Sequence, residues 1–129
     1  MKRILLFLFL LFPGLALMSS AQETSRIKTD VFSFIHTGNV EVISKYFEGY
    51  LDLTLPGFRG VTNTMKAKSL LKDFMKKEKP ANFKLKKEGT TDNNYFIIGN
   101  INTGNKNRII YFLFKNTGKK YIIQQLEIR

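Results

Sequence analysis

Few side chains in this sequence can do chemistry on a substrate. There is one histidine, His36, there is no cysteine, and the acids are scattered. Asp52 stands out because of its surroundings. The run Tyr50-Leu51-Asp52-Leu53-Thr54-Leu55 alternates with period two, so Asp52 shares a strand face with Tyr50 and Thr54 while the leucines point the other way. Read as chemistry, Asp52 with Tyr50 could serve a small isomerase- or hydrolase-like enzyme as its acid–base pair. Read as structure, they are the polar face of a half-buried antiparallel strand, lying in water beside a lysine. The structural reading is the stronger, and no catalytic residue is assigned.

The remaining chemistry is quickly bounded. His36 sits beside the expected end of a helix, where a cation is favoured by the helix dipole. Ser33 and Ser44 lack the glycines of a nucleophile elbow. A structural metal wants clustered His, Cys or carboxylate ligands, which this chain does not offer in its spacing. Gly57 and Gly60 belong to turns, not to a phosphate or dinucleotide loop. No metal and no cofactor are expected.

Charge is the compositional signal. The chain carries +11. Lys68, Lys72 and Lys76 lie on one expected helix, and Lys84 and Lys86 on the strand after it. Such a basic surface draws anions. Nucleic acid is the weaker partner, since no stacking or Arg/Gly-rich motif accompanies the lysines. Acidic lipid or glycan of a cell envelope fits better, and a merely solubilising face is the plain alternative.

The envelope enters because of the N-terminus. Met1-Lys2-Arg3 precedes an apolar run from Ile4 to Leu17, and Ser19-Ser20-Ala21 supplies small residues at a cleavage site. The run is short against the ~20 residues a bilayer span needs. Residues 1–21 therefore read as a secretory signal, cut between Ala21 and Gln22, leaving a periplasmic or secreted protein without a transmembrane segment. Residues 22–129 make one domain, held by its core without disulfides.

Its elements follow in order. Glu23-Thr24-Ser25 offers helix caps, and Ile27, Val31, Phe34 and Ile35 form one helical stripe ending at Gly38. Asn39 caps a second short helix carrying Val40, Ile43, Tyr46 and Phe47. The strand from Tyr50 to Leu55 ends at Pro56-Gly57, and Phe58 to Val61 reads as a connection. Thr62-Asn63-Thr64 caps a third helix with the stripe Ala67, Leu70, Leu71, Phe74 and Met75. Phe83 and Leu85 alternate with Lys84 and Lys86 in a strand. A turn over Glu88 to Asn93 leads to three β-rich runs between Asn94 and Arg129. The expected order is α-α-β-α-β-β-β-β, an α+β fold with a curved antiparallel sheet packed against three helices.

Both faces of Ile109 to Phe114 are apolar, so both need cover. One face meets the helices; the other is expected to meet a second copy, in a homodimer through the sheet. Tyr46, Tyr50, Asp52, Tyr95 and Tyr111 are the candidates for lining a ligand pocket.

The element order, the Gly38-Asn39 turn and Gly60 before a capped helix resemble the nuclear-transport-factor-two-like superfamily, also called cystatin-like or SnoaL-like. Within it the chain is most similar to a family of small exported bacterial proteins designated a domain of unknown function. The resemblance covers residues 24–129. It implies a cone-shaped sheet, often dimeric through that sheet, in which some members catalyse and many only bind. In the ketosteroid-isomerase-like members the base is an Asp just before a Pro; the matching position here is Leu55, before Pro56, and leucine moves no proton. The expectation is an exported, non-enzymatic binding or scaffold domain holding a small apolar or anionic ligand. The alternatives are the Asp52–Tyr50 enzyme and the basic envelope-binding surface.

Overall fold

The computed structural model describes residues 20–129. The expected secretory segment lies outside the described residues except for Ser20 and Ala21, which already belong to the first helix. The elements are α1 (Ser20–Thr37), α2 (Val40–Ser44), β1 (Tyr50–Leu55), β2 (Phe58–Asn63), α3 (Thr64–Glu78), β3 (Ala81–Thr91), β4 (Asn94–Thr103), β5 (Lys106–Asn116) and β6 (Tyr121–Ile128). No described helix is long and apolar enough to cross a membrane.

The helices form where apolar spacing and caps agree. Ile27, Val31, Phe34 and Ile35 of α1 are all buried. Thr24 and Ser25 are not its caps: they lie within the helix, and the Thr24 hydroxyl donates back to the Ala21 carbonyl at 3.1 Å. At the other end Gly38 adopts φ 71° and its N–H donates to Phe34 O at 2.9 Å, closing the helix as a left-handed glycine can. Asn39 accepts from the Glu41 N–H at 3.1 Å to start α2, and Asn63 accepts from the Lys66 N–H at 2.9 Å to start α3. Ala67, Leu71, Phe74 and Met75 bury the inner stripe of α3.

The sheet has six strands in the order β2-β1-β6-β5-β4-β3. All pairings are antiparallel except β1 with β6. One element departs from the expectation. Phe58 to Val61 is not a connection but most of β2, which pairs with β1 from Leu55↔Phe58 to Tyr50↔Asn63. Arg59 and Gly60 dilute its β character; the pairing with β1 supplies what local propensity lacks. The turns are also tighter than expected. Strand β3 runs on to Thr91, and Asp92 and Asn93 alone make the turn, both at positive φ.

Alternation along the strands gives the sheet two faces. The inner face carries Leu51, Leu53, Tyr95, Ile97, Ile101, Ile110, Phe112, Phe114, Ile123, Leu126 and Ile128 into the core with the helices. Phe83 folds in over Gly99, where a Cβ would stand 2.2 Å from its ring and 2.7 Å from the Lys84 carbonyl. The outer face is half-buried at Phe96, Ile98, Tyr111, Leu113 and Ile122, and Ile109 is 55% exposed. Register shifts in β3 at Ala81/Lys84 and Leu85/Lys87, and in β6 beside Phe114, bend the sheet.

Candidate functional site

The space between sheet and helices is filled by aromatic rings. Phe34 packs edge-on against Phe112, Phe112 stacks on Phe114, and all three are fully buried. Ligand-sized grooves lie instead at the surface, one of them at the end of the sheet where the first turns of α1, the residues after α2 and the β5–β6 turn converge. A groove of about 340 Å³ opens there. Its walls include Tyr46, Tyr121 and Ile27, and it is edged by four cations, Arg26, Lys45, Lys119 and Lys120, against one acid, Glu23.

Two of the cations are held in place. Lys45 Nζ lies 2.9 Å from Asp30 Oδ2, and Lys120 Nζ lies 3.1 Å from Glu48 Oε2. Arg26 and Lys119 make no ion pair among the described residues, so their charge faces the groove and solvent. The Tyr46 hydroxyl donates to Asp30, and Lys45 Nζ stands 5.5 Å from the Tyr46 ring centre. Burial, reinforced by Asp30, pushes the Tyr46 hydroxyl far above its ordinary range.

A second network mirrors the first. Tyr95 Oη donates to Glu88 Oε1 at 3.2 Å, and Lys28 Nζ reaches both Glu88 oxygens at 3.2 and 3.0 Å. Tyr95 too is pushed strongly up, by burial first and by Glu88 second. Both tyrosines pack on Phe114, at 5.4 Å for Tyr46 and 6.2 Å for Tyr95. Helix α1 thus supplies the acid of one network, Asp30, and the cation of the other, Lys28. A phenol held protonated donates a hydrogen bond but is no base at neutral pH. Both phenol hydrogens are already given to carboxylates, Asp30 and Glu88.

The structure does not gather the five expected pocket residues. Tyr46 and Tyr95 come together on Phe114. Tyr50 is 72% exposed, and Asp52 is exposed opposite Val61 and Gln125 on the outer face. Tyr111 lies on that outer face beside Glu127, its hydroxyl raised by burial and then by that carboxylate. Asp52 and Tyr50 therefore sit in no closed pocket, which removes the geometry their enzymatic reading needs. Nδ1 of His36 lies 2.8 Å from the Phe32 carbonyl at the end of α1, and its ring stacks on Phe32.

The expected basic surface is divided. Lys68 and Lys72 both turn to Glu41, at 3.2 and 3.5 Å, and the hydrogen bond from Lys68 leads in lowering the Glu41 carboxyl. Lys76 edges a separate groove over Met75 with Lys72 and Lys79. Lys84 and Lys86 are exposed on β3. The groove residues Arg26, Lys45 and Tyr121, and Asp30 that holds Tyr46 and Lys45, stand out by no spacing in the sequence. A signal was present all the same: Lys45-Tyr46 and Lys120-Tyr121 are the same basic–aromatic pair, each beside a chain reversal.

A family model described as a domain of unknown function (DUF4783) matches residues 28–129. No curated protein matches the chain in sequence. A DUF4783 family protein from Bacteroides uniformis, known from its crystal structure, is similar at 25% identity and TM-score 0.70, covering 78% of this chain and 93% of its own. One from Bacteroides fragilis is similar at 27% identity and TM-score 0.68, over 77% of this chain and 93% of its own. A protein of the NTF2-like family from Streptomyces avermitilis shares the fold at 12% identity and TM-score 0.61, over 83% and 92%.

Proposed function

The chain belongs to the DUF4783 family, with a nuclear-transport-factor-two-like fold, and from that premise we propose that it is an exported, non-enzymatic binding domain for a small organic anion. The observation that carries this reading is the groove at Tyr46 and Tyr121, where four cations meet one acid over an aromatic wall. Its volume lies at the small end of ligand pockets, which run from about 300 to 1,000 Å³. The ligand is amphipathic: an apolar body against the tyrosines and an acid toward Arg26 and Lys119. The N-terminal pattern of Lys2-Arg3, apolar run and Ser19-Ser20-Ala21 supports export to the periplasm or beyond. The half-buried apolar outer face of β4 and β5 supports a homodimer through the sheet.

The test is a titration of the mature chain followed by amide NMR shifts, with benzoate, acetate and benzyl alcohol as probes. Benzoate is expected to move the amides of Lys45 to Phe47 and Lys119 to Tyr121 at lower concentration than acetate, with benzyl alcohol weaker still. Arg26→Gln or Lys119→Gln weakens benzoate several-fold and leaves benzyl alcohol unchanged. Equal binding of benzoate and benzyl alcohol, or shifts confined elsewhere, would sink the reading.

A further inference from the structure

We propose a second anion site, in the trough between the ends of α1 and α3, which takes a phosphate monoester through Lys76 and Lys79 with Lys72 beside them. It is separate from the groove at Tyr46 and serves a different class of anion.

Two adjoining hollows, of about 420 and 160 Å³, share Thr37, Gly38, Met75 and Lys79 and so form one trough. Its floor is apolar, with Met75 and Ile35 both buried. Lys72, Lys76 and Lys79 follow one another at spacings of four and three, which sets them along one flank of α3 and its cap. His36 stands at the narrower end, and Asp73 is the single acid in the lining. Neither Lys76 nor Lys79 makes an ion pair among the described residues. Lys72 is held only at 3.5 Å, by a Glu41 carboxylate that Lys68 reaches at 3.2 Å.

A helix C-terminus welcomes a cation, but that alone accounts for neither the crowding nor the conformation seen here. Lysines one turn apart repel each other. Lys79 is the stronger sign. It closes α3 in the left-handed conformation, φ 44° and ψ 63°, with its N–H donating to Met75 O at 3.1 Å. Glycine takes that position most easily, and every other left-handed residue among those described is Gly, Asn or Asp. A strained residue of this kind points to a side chain in use. Three ammonium groups against one carboxylate, over an apolar floor, match a compact dianion. A phosphate monoester carries about −1.5 to −2 near neutral pH on three acceptor oxygens, and lysine binds it as a point charge. No tyrosine or phenylalanine lines the trough, so the aromatic acid suited to the Tyr46 groove finds no wall here.

The test is a titration of the mature chain with inorganic phosphate at constant ionic strength, followed by amide NMR shifts. Shifts are expected at Thr37, Gly38, Lys76 and Lys79. Lys76→Gln/Lys79→Gln weakens phosphate about tenfold, whereas Lys106→Gln/Lys115→Gln, which removes the same charge from exposed positions on β5, changes it less than about twofold. Lys79→Gly raises the melting temperature, because glycine fits the left-handed cap, yet also weakens phosphate. Equal weakening by the two double variants would show a general field and no site. Shifts confined elsewhere, or a Lys79→Gly chain that binds phosphate as before, overturn the proposal too. Flotation with phosphatidylcholine vesicles containing phosphatidic acid, whose headgroup is a phosphate monoester, then gives the source. Flotation that Lys76→Gln/Lys79→Gln abolishes marks a lipid headgroup; phosphate shifts without flotation mark a free ester.

Discussion

At the scale of single residues, function and stability pull on different side chains. The groove depends on where a few charges point, whereas the core depends on volume and on polar groups finding partners. Thr62 is a polar residue the core does not satisfy. It is 4% exposed, on the buried side of β2 opposite Leu51, and its hydroxyl has no hydrogen-bond partner among the described residues. A buried hydroxyl without a partner loses its water for nothing. Thr62→Val keeps the shape and removes the polar group, and is expected to stabilise the fold by about 1 kcal/mol. Chemical denaturation would show this as a higher midpoint at unchanged slope. A lower midpoint would mean that the hydroxyl is satisfied in solution.

At the scale of elements, α1 is the piece that ties site to sheet. Its apolar stripe is buried, and its polar flank is pinned twice, by Asp30 to Tyr46 and Lys45 and by Lys28 to Glu88 under Tyr95. Both phenols are pushed above the ordinary tyrosine value. The sign of the consequence is definite. Below about pH 10 the tyrosines are protonated in folded and unfolded chains alike and add no pH dependence. Above it the unfolded chain releases protons that the folded chain keeps, so stability falls as pH rises. Tyr46→Phe and Tyr95→Phe are each expected to lose their hydrogen bond at neutral pH yet to flatten this alkaline decline. Melting temperatures across the alkaline range, wild type beside each variant, check it; parallel declines would contradict it.

The elements also mark how far sequence reasoning reached. The stripes of α1 and α3, the caps at Asn39 and Asn63 and the central strands were legible because local pattern and tertiary burial agree there. Strand β2 was not, because Arg59 and Gly60 carry little strand preference and the pairing partner β1 decides. The site was less legible still. Aromaticity alone points to Tyr46 and Tyr95, but Asp30 and Lys28 become their neighbours only when α1 packs on the sheet, a relation of residues far apart in the chain. Residue type groups Tyr111 and Asp52 with them, but the register of β5 and β1 sends both to the other face.

At the scale of the whole molecule, the fold separates two surfaces. The groove opens at one end of the sheet, and the half-buried apolar outer face of β4 and β5 covers its back. The interior is occupied by Phe34, Phe112 and Phe114, so ligand-sized space lies in surface grooves and not inside the cone. The measurement that bears most directly on this account is native mass spectrometry of the mature chain, purified gently from an exporting host, beside an Arg26→Glu/Lys119→Glu variant. The wild type is expected to carry a small bound mass that the variant, folded alike, has lost. The same bound mass on both chains, or a bare wild type, would contradict it.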